Sequence, residues 1–205
     1  ILQYLLEDSD PLHKVTIIPR GQYGGATFSL PDKDRSGVSL KWLNATMRMA
    51  CGGRIAEERA MSDVSSGAVS DIQQVTGMAR AMVLEWGMSE KLGFIRYAGS
   101  DQRDAFLQDK DYSDQTALLI DQEIKRIVDE AYADARSMLV ENWDKVEALA
   151  QALLKYETLT GDDVGNIMQG KPLGKPSVSD LLRDEAARST TKAEPNASEA
   201  DDPET

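Results

Sequence analysis

Ser39-Leu40-Lys41-Trp42-Leu43-Asn44-Ala45-Thr46-Met47-Arg48-Met49-Ala50-Cys51-Gly52-Gly53-Arg54-Ile55-Ala56-Glu57-Glu58 is the stretch that decides the fold class. Leu40, Leu43, Met47, Ala50 and Cys51 fall on one stripe of a 3.6-residue helix, and Ser39 stands where a hydroxyl can cap its start. The pair Gly52-Gly53 sits inside that period. Two interior glycines cost roughly 2 kcal/mol against alanine, so their presence predicts that a neighbouring backbone comes close there.

Towards the C-terminus the helical period returns three times. Ile72, Val75, Ala79, Met82, Val83 and Trp86 form a second stripe, with Gly87 where a left-handed cap is expected. A helix from about Ser113 to Val140 carries Ile120, Ile124, Ile127, Val128, Ala131, Ala135, Met138 and Leu139. A break near Glu141-Asn142 precedes a helix with Val146, Leu149, Ala150, Leu153 and Leu154, and Thr160-Gly161-Asp162-Asp163 starts a short one through Met168. Residues 98–113 are polar and without period, an exposed loop. Towards the N-terminus the period changes to two. Val15 to Ile18 is a β-branched run stopped by Pro19, and Ala26-Thr27-Phe28-Ser29-Leu30 alternates before Pro31, so a small antiparallel sheet with an open edge is expected. Ile1 to Leu6 is apolar at helical spacing without a capping residue, and reads as the back half of a helix. The expected fold is mainly α, a helical bundle domain with a small antiparallel β element. Residues 1–168 form the domain, and 169–205 form an acidic tail without a core-forming stripe, expected to be disordered.

The 205 residues carry a formal net charge of -12. Phosphate binding needs clustered Lys and Arg, so this charge argues against a nucleic-acid partner. Part of the acidity lies in the last 25 residues, with seven Asp or Glu against three Lys or Arg. No apolar run approaches the roughly 18 to 20 residues that cross a bilayer. With one Cys and one His, no intramolecular disulfide can form, a reducing compartment is the simpler expectation, and those two residues alone cannot build a conventional zinc site.

Few side chains qualify for chemistry. There is no Walker-type phosphate loop and no Ser-centred elbow. Cys51 lies on an apolar stripe and reads as a structural thiol. His13, beside the first strand, reads as a packing or turn residue. Asp71 falls in the first turn of a helix after a run of small residues, where the helix dipole by itself favours a carboxylate. Glu57 and Glu58 read first as a solvated helix face.

Several segments, taken in order, are specific. Asp10-Pro11-Leu12-His13-Lys14-Val15-Thr16-Ile17-Ile18-Pro19-Arg20-Gly21 closely resembles a signature stretch of FtsH-type peptidase domains. So do Gly52-Gly53-Arg54-Ile55-Ala56-Glu57-Glu58, Val64-Ser65-Ser66-Gly67-Ala68-Val69-Ser70-Asp71-Ile72 and Glu85-Trp86-Gly87-Met88-Ser89-Glu90-Lys91-Leu92-Gly93. Ile127 to Tyr132 and Leu149 to Leu159 are similar to that family's C-terminal helices. The match runs over about residues 5 to 168. The resemblance implies a zinc endopeptidase, one zinc per intact subunit, joined to an upstream ATPase that uses ATP and Mg. It further implies a homo-hexamer held by transmembrane helices in a bacterial inner membrane, this domain facing the cytoplasm, or in an organelle membrane of bacterial descent. Unfolded and membrane proteins are the implied substrates. Two His of a His-Glu-x-x-His helix and one later Asp hold the metal in that family, leaving one position for water. The Asp matches Asp71 here; Glu57 is expected near the metal, supporting a ligand rather than touching the ion. The edge strand Ala26, Thr27, Phe28, Ser29 and Leu30 is expected to pair with an extended substrate. The His-Glu-x-x-His helix is absent, so the chain by itself holds no catalytic residue and is expected to be inert. A non-catalytic assembly subunit of the same fold is the alternative.

Overall fold

A computed structural model describes residues 1–19, 21, 24–30, 37–97 and 112–191. Among these residues seven helices form, α1 Leu2–Leu5, α2 Leu40–Met61, α3 Val69–Leu84, α4 Asp114–Glu141, α5 Trp143–Tyr156, α6 Gly161–Met168 and α7 Val178–Thr191, with strands β1 Leu12–Thr16, β2 Ala26–Ser29 and β3 Thr158–Thr160. The mainly helical fold with a small antiparallel sheet is as expected. Two compact units divide the chain: Ile1–Leu12 with Ser29–Val146, and His13–Phe28 with Glu147–Thr205.

In the first unit α2, α3 and α4 share one core. Leu43, Met47, Cys51 and Ile55 of α2 meet Val75, Ala79, Met82 and Val83 of α3 and Ile127, Ala131, Ala135 and Leu139 of α4. The periods read from the sequence are the buried faces, and burial of the Leu, Ile, Val and Met side chains among them contributes roughly 1.5–3 kcal/mol each. Ser39 caps α2, its hydroxyl accepting from the Trp42 N–H, and Ser113 caps α4 in the same way. The stripes are narrower than their periodicity suggested: Leu40, Ile72 and Trp86 are exposed. Gly87 takes φ +59 after α3, as a left-handed cap requires.

The glycine pair behaves differently from expectation. A Cβ on Gly52 would stand 2.9 Å from Leu2 Cδ1, so α2 is approached there by a side chain of α1 and not by a backbone. Gly53 has nothing within 4 Å.

The second unit holds most of the sheet, ordered β2-β1-β3. β1 lies antiparallel to β3, with Lys14 opposite Thr160, Val15 opposite Leu159 and Thr16 opposite Thr158. This pairing moves the first strand ahead of the expected Val15–Ile18 run: Thr16 Oγ1 and Thr158 Oγ1 are 2.8 Å apart at its end, and Ile17 and Ile18 are exposed. Gly25 precedes β2 because a Cβ would lie 2.6 Å from the Thr16 carbonyl oxygen. The helix expected to reach Leu159 stops at Tyr156, since Glu157 turns the chain at φ +58 and β3 begins. Thr160 then starts α6 with a reciprocal capping box to Asp163, and Leu159, Val164 and Ile167 are buried.

The tail differs from expectation between residues 178 and 191, where α7 forms. Its start is local: the Ser177 N–H donates to Asp180 Oδ2 at 2.9 Å and the Asp180 N–H donates to Ser177 Oγ at 3.2 Å. Such a reciprocal cap satisfies the helix-start donors without any apolar stripe. The expected loop at 98–113 lies outside the described residues apart from Tyr112 and Ser113.

Candidate metal centre

α2 ends at Ser62, which adopts a left-handed φ of 55, and the chain reverses through an exposed segment to Ser65. Ser65 is extended, and its Oγ accepts from the Gly67 N–H at 3.2 Å. A 3-10 turn, Ser66–Ala68, runs straight into α3 at Val69. Small residues permit this tight reversal, and it sets Asp71 in the first turn of α3, where the aligned peptide dipoles favour negative charge.

Between the end of α2 and the start of α3 lies a hollow of about 460 Å³, whose lining includes Gly53, Glu57, Ala60, Ser65, Ala68 and Asp71. The bare backbone of Gly53 helps keep it open. Among the described residues no hydrogen-bond or ion-pair partner meets the Asp71 carboxylate. Partial burial raises its pKa. The Cys51 thiol is pushed up to about 11, first by burial and then by the Asp71 charge, and it is buried as expected of a structural thiol.

Glu57 lines the same hollow as Asp71, so these two predicted residues come together. Its carboxyl lies below the ordinary carboxylate range because the side chain and backbone of Ser65 hydrogen-bond to it. Arg54 completes the arrangement, Nη1 donating to the Ser65 carbonyl at 2.7 Å and standing 3.7 Å from Glu57 Oε2. Arg54 and Ser65 were not singled out from sequence for any site role. The i, i+3 spacing of Arg54 and Glu57 was the only available signal, and it does not show that both converge on a residue beyond the helix end.

Of the predicted edge strand, Ala26, Thr27 and Phe28 belong to the second unit, and Ser29 and Leu30 to the first. β2 ends the strand order, its Phe28 is half-buried under Lys14 Nζ at 4.9 Å, and Thr27, Ser29 and Leu30 are exposed. His13 is exposed on β1. Among the described residues no group of three or more His, Cys, Asp or Glu could hold a metal ion. Asp71 could therefore offer a metal ion no more than one ligand position of the several it needs.

A second carboxylate was missed. Glu123 is 1% exposed on α4. Its Oε2 accepts from Ser89 Oγ at 2.9 Å and from Arg126 Nη2 at 3.0 Å, while Lys91 Nζ is 2.7 Å from Oε1. The Arg126 hydrogen bonds above all hold its carboxyl down at about 2, against the opposing effect of burial.

A family model described as Peptidase family M41 matches residues 1–167. The chain belongs to peptidase family M41. This M41 chain is 48% identical over 183 residues to "ATP-dependent zinc metalloprotease FtsH 2" of Methylacidiphilum infernorum, covering 86% of the chain and 28% of that relative. It is 46% identical over 178 residues to "ATP-dependent zinc metalloprotease FtsH" of Myxococcus xanthus, covering 84% of the chain and 28% of the relative. With "ATP-dependent zinc metalloprotease FtsH" of Bacillus subtilis it shares 42% identity over 185 residues, 88% of the chain and 29% of the relative. The M41 chain thus spans less than a third of these relatives.

Proposed function

We propose that this chain is the peptidase part, through residue 168, of a membrane-anchored, ATP-dependent zinc endopeptidase that degrades unfolded and membrane proteins. Asp71 supplies one zinc ligand. Two imidazoles and the general-base carboxylate come from sequence ahead of Ile1, and ATP and Mg serve an ATPase module of the same polypeptide. The assembled protease is a homo-hexamer in a bacterial inner membrane, its peptidase side facing the cytoplasm, or in an organelle membrane of bacterial descent. Without that upstream sequence the chain is inert.

One observation supports this reading: Asp71 is a partly desolvated carboxylate that meets no hydrogen-bond or ion-pair partner among the described residues, and it opens on a hollow at a helix start. A carboxylate left unpaired in such a place is available to a cation. Zinc held by three protein ligands with one open position acidifies water for attack on a peptide carbonyl. Asp71 would hold and orient the ion, and Glu57 would brace the segment that carries Asp71. The open edge of β2 suits an extended polypeptide, since main-chain pairing accepts any sequence and a degradative enzyme needs little side-chain selectivity.

The test is zinc content and casein hydrolysis in the full-length gene product. Asp71→Ala should lose most bound zinc and cleavage while the ATPase rate persists. Full zinc occupancy in that variant overturns the ligand assignment. Zinc-free, inactive parent protein supports an assembly subunit instead.

A further inference from the structure

The segment that delivers Asp71 has almost nothing to hold it. Met61 to Gly67 are all exposed, and Ala68 is the first buried residue before α3. Its position has to come from polar contacts, and those contacts converge on Ser65. Arg54 donates to the Ser65 carbonyl at 2.7 Å, whereas its distances to Glu57 Oε2 and Glu58 Oε1 are both 3.7 Å. The guanidinium therefore makes its short, charge-assisted bond to backbone one residue ahead of the 3-10 turn. The two carboxylates beside it serve to aim it.

Glu58 is itself fixed from α4. Tyr132 Oη donates to Glu58 Oε1 at 2.8 Å, and Arg136 Nη1 stands 3.7 Å from Glu58 Oε2. A polar chain thus runs from α4 through Glu58 and Arg54 to the peptide that starts the turn into α3. Metal ligands have to sit within about 0.5 Å of their productive place, so the group that pins such a segment influences the ion without touching it.

We propose that Arg54 is a positioning residue for the Asp71 carboxylate, latching the Ser65 peptide to the end of α2 and, through Glu58, to α4. This rests on the reading of Asp71 as a zinc ligand. The experiment uses the full-length gene product carrying Arg54→Ala, Arg54→Lys or Asp71→Ala, with two measurements: zinc affinity by chelator competition, and amide hydrogen exchange of the zinc-free protein. Arg54→Ala should speed exchange of amides 66–71, leave α4 protected, and weaken zinc binding by about tenfold or more. Arg54→Lys keeps a cationic donor but lacks the planar fork, so it should recover part of both losses. Asp71→Ala should lose more zinc affinity than either while amides 66–68 exchange as in the parent. Unchanged exchange at 66–71 in Arg54→Ala overturns the latch whatever zinc does. Faster exchange spread equally over α4 marks a general packing role and also overturns it. Unchanged zinc affinity in Asp71→Ala overturns the ligand assignment, and the positioning role with it.

Discussion

Glu123 and Asp71 are acidic residues of one compact unit with opposite surroundings. Glu123 is wholly buried beneath Ser89, Lys91 and Arg126, and their hydrogen bonds hold its carboxyl down at about 2. Asp71 is partly exposed at the mouth of a hollow, has no such donors among the described residues, and its pKa is raised by burial. Hydrogen bonding favours the charged form and desolvation opposes it, so the balance at each site separates a saturated carboxylate from an available one. Glu123 ties the segment after α3 onto α4. Among the described residues Asp71 meets no donor, and only its place in the first turn of α3 favours its charge.

Removing each carboxylate tests the contrast most directly. Glu123→Ala leaves Arg126, Lys91 and Ser89 around an empty acceptor site. Breaking a buried pair costs about 3–5 kcal/mol, and because Arg126 and Lys91 are partly exposed and can recover water, a loss of about 2–3 kcal/mol is expected in urea unfolding. Asp71→Ala should shift the same curve by no more than about 0.5 kcal/mol. Equal losses would erase the distinction.

Acid titration probes the same contrast through protonation. The Glu123 carboxyl is depressed from the ordinary 4.5 to about 2 in the folded state. A depressed acid contributes stability above its unfolded pKa and loses it as pH falls through the folded one. Over that window, from about pH 4.5 down to about 2, the parent should lose up to about 3 kcal/mol that Glu123→Gln does not. Parallel stability curves for the two proteins would show that the contacts of Glu123 are not stabilising.

The adjacent glycines give a third and smaller comparison. Gly53 opens on the Asp71 hollow with nothing within 4 Å, so Gly53→Ala should stabilise the fold by about 0.5–1 kcal/mol through helix propensity. A methyl on Gly52 would press on buried Leu2 at 2.9 Å, so Gly52→Ala should gain less or lose stability. Thermal melts in which both variants gain equally would mean that α1 yields freely. Of comparable size is Tyr132→Phe, which removes the donor to Glu58 and should cost about 0.5–1.5 kcal/mol, read from the melting temperature.

Much of this could be read in advance wherever one helix carries its own signal. The buried faces of α2, α3 and α4 follow the apolar period, and Ser39, Ser113 and Thr160 cap the helices they precede. β3 was illegible because three residues, Thr158-Leu159-Thr160, carry no period, and their pairing with β1 joins positions more than 140 residues apart. α7 was missed because its start is set by Ser177 and Asp180, not by a hydrophobic stripe. At the site, a family resemblance named Asp71 and Glu57, which line one hollow, and it did not name the Arg54 contact to Ser65.

The helical periods, the caps, the acidic character and the family were all settled by residue order, since each rests on neighbours within a turn or on a run of matched residues. Three-dimensional packing was needed to separate the saturated carboxylate from the free one, and to bring Arg54 past the end of its own helix to Ser65. Those outcomes depend on which donors arrive from distant parts of the chain. A local pattern records the spacing of side chains along an element; it does not record what faces them across a gap.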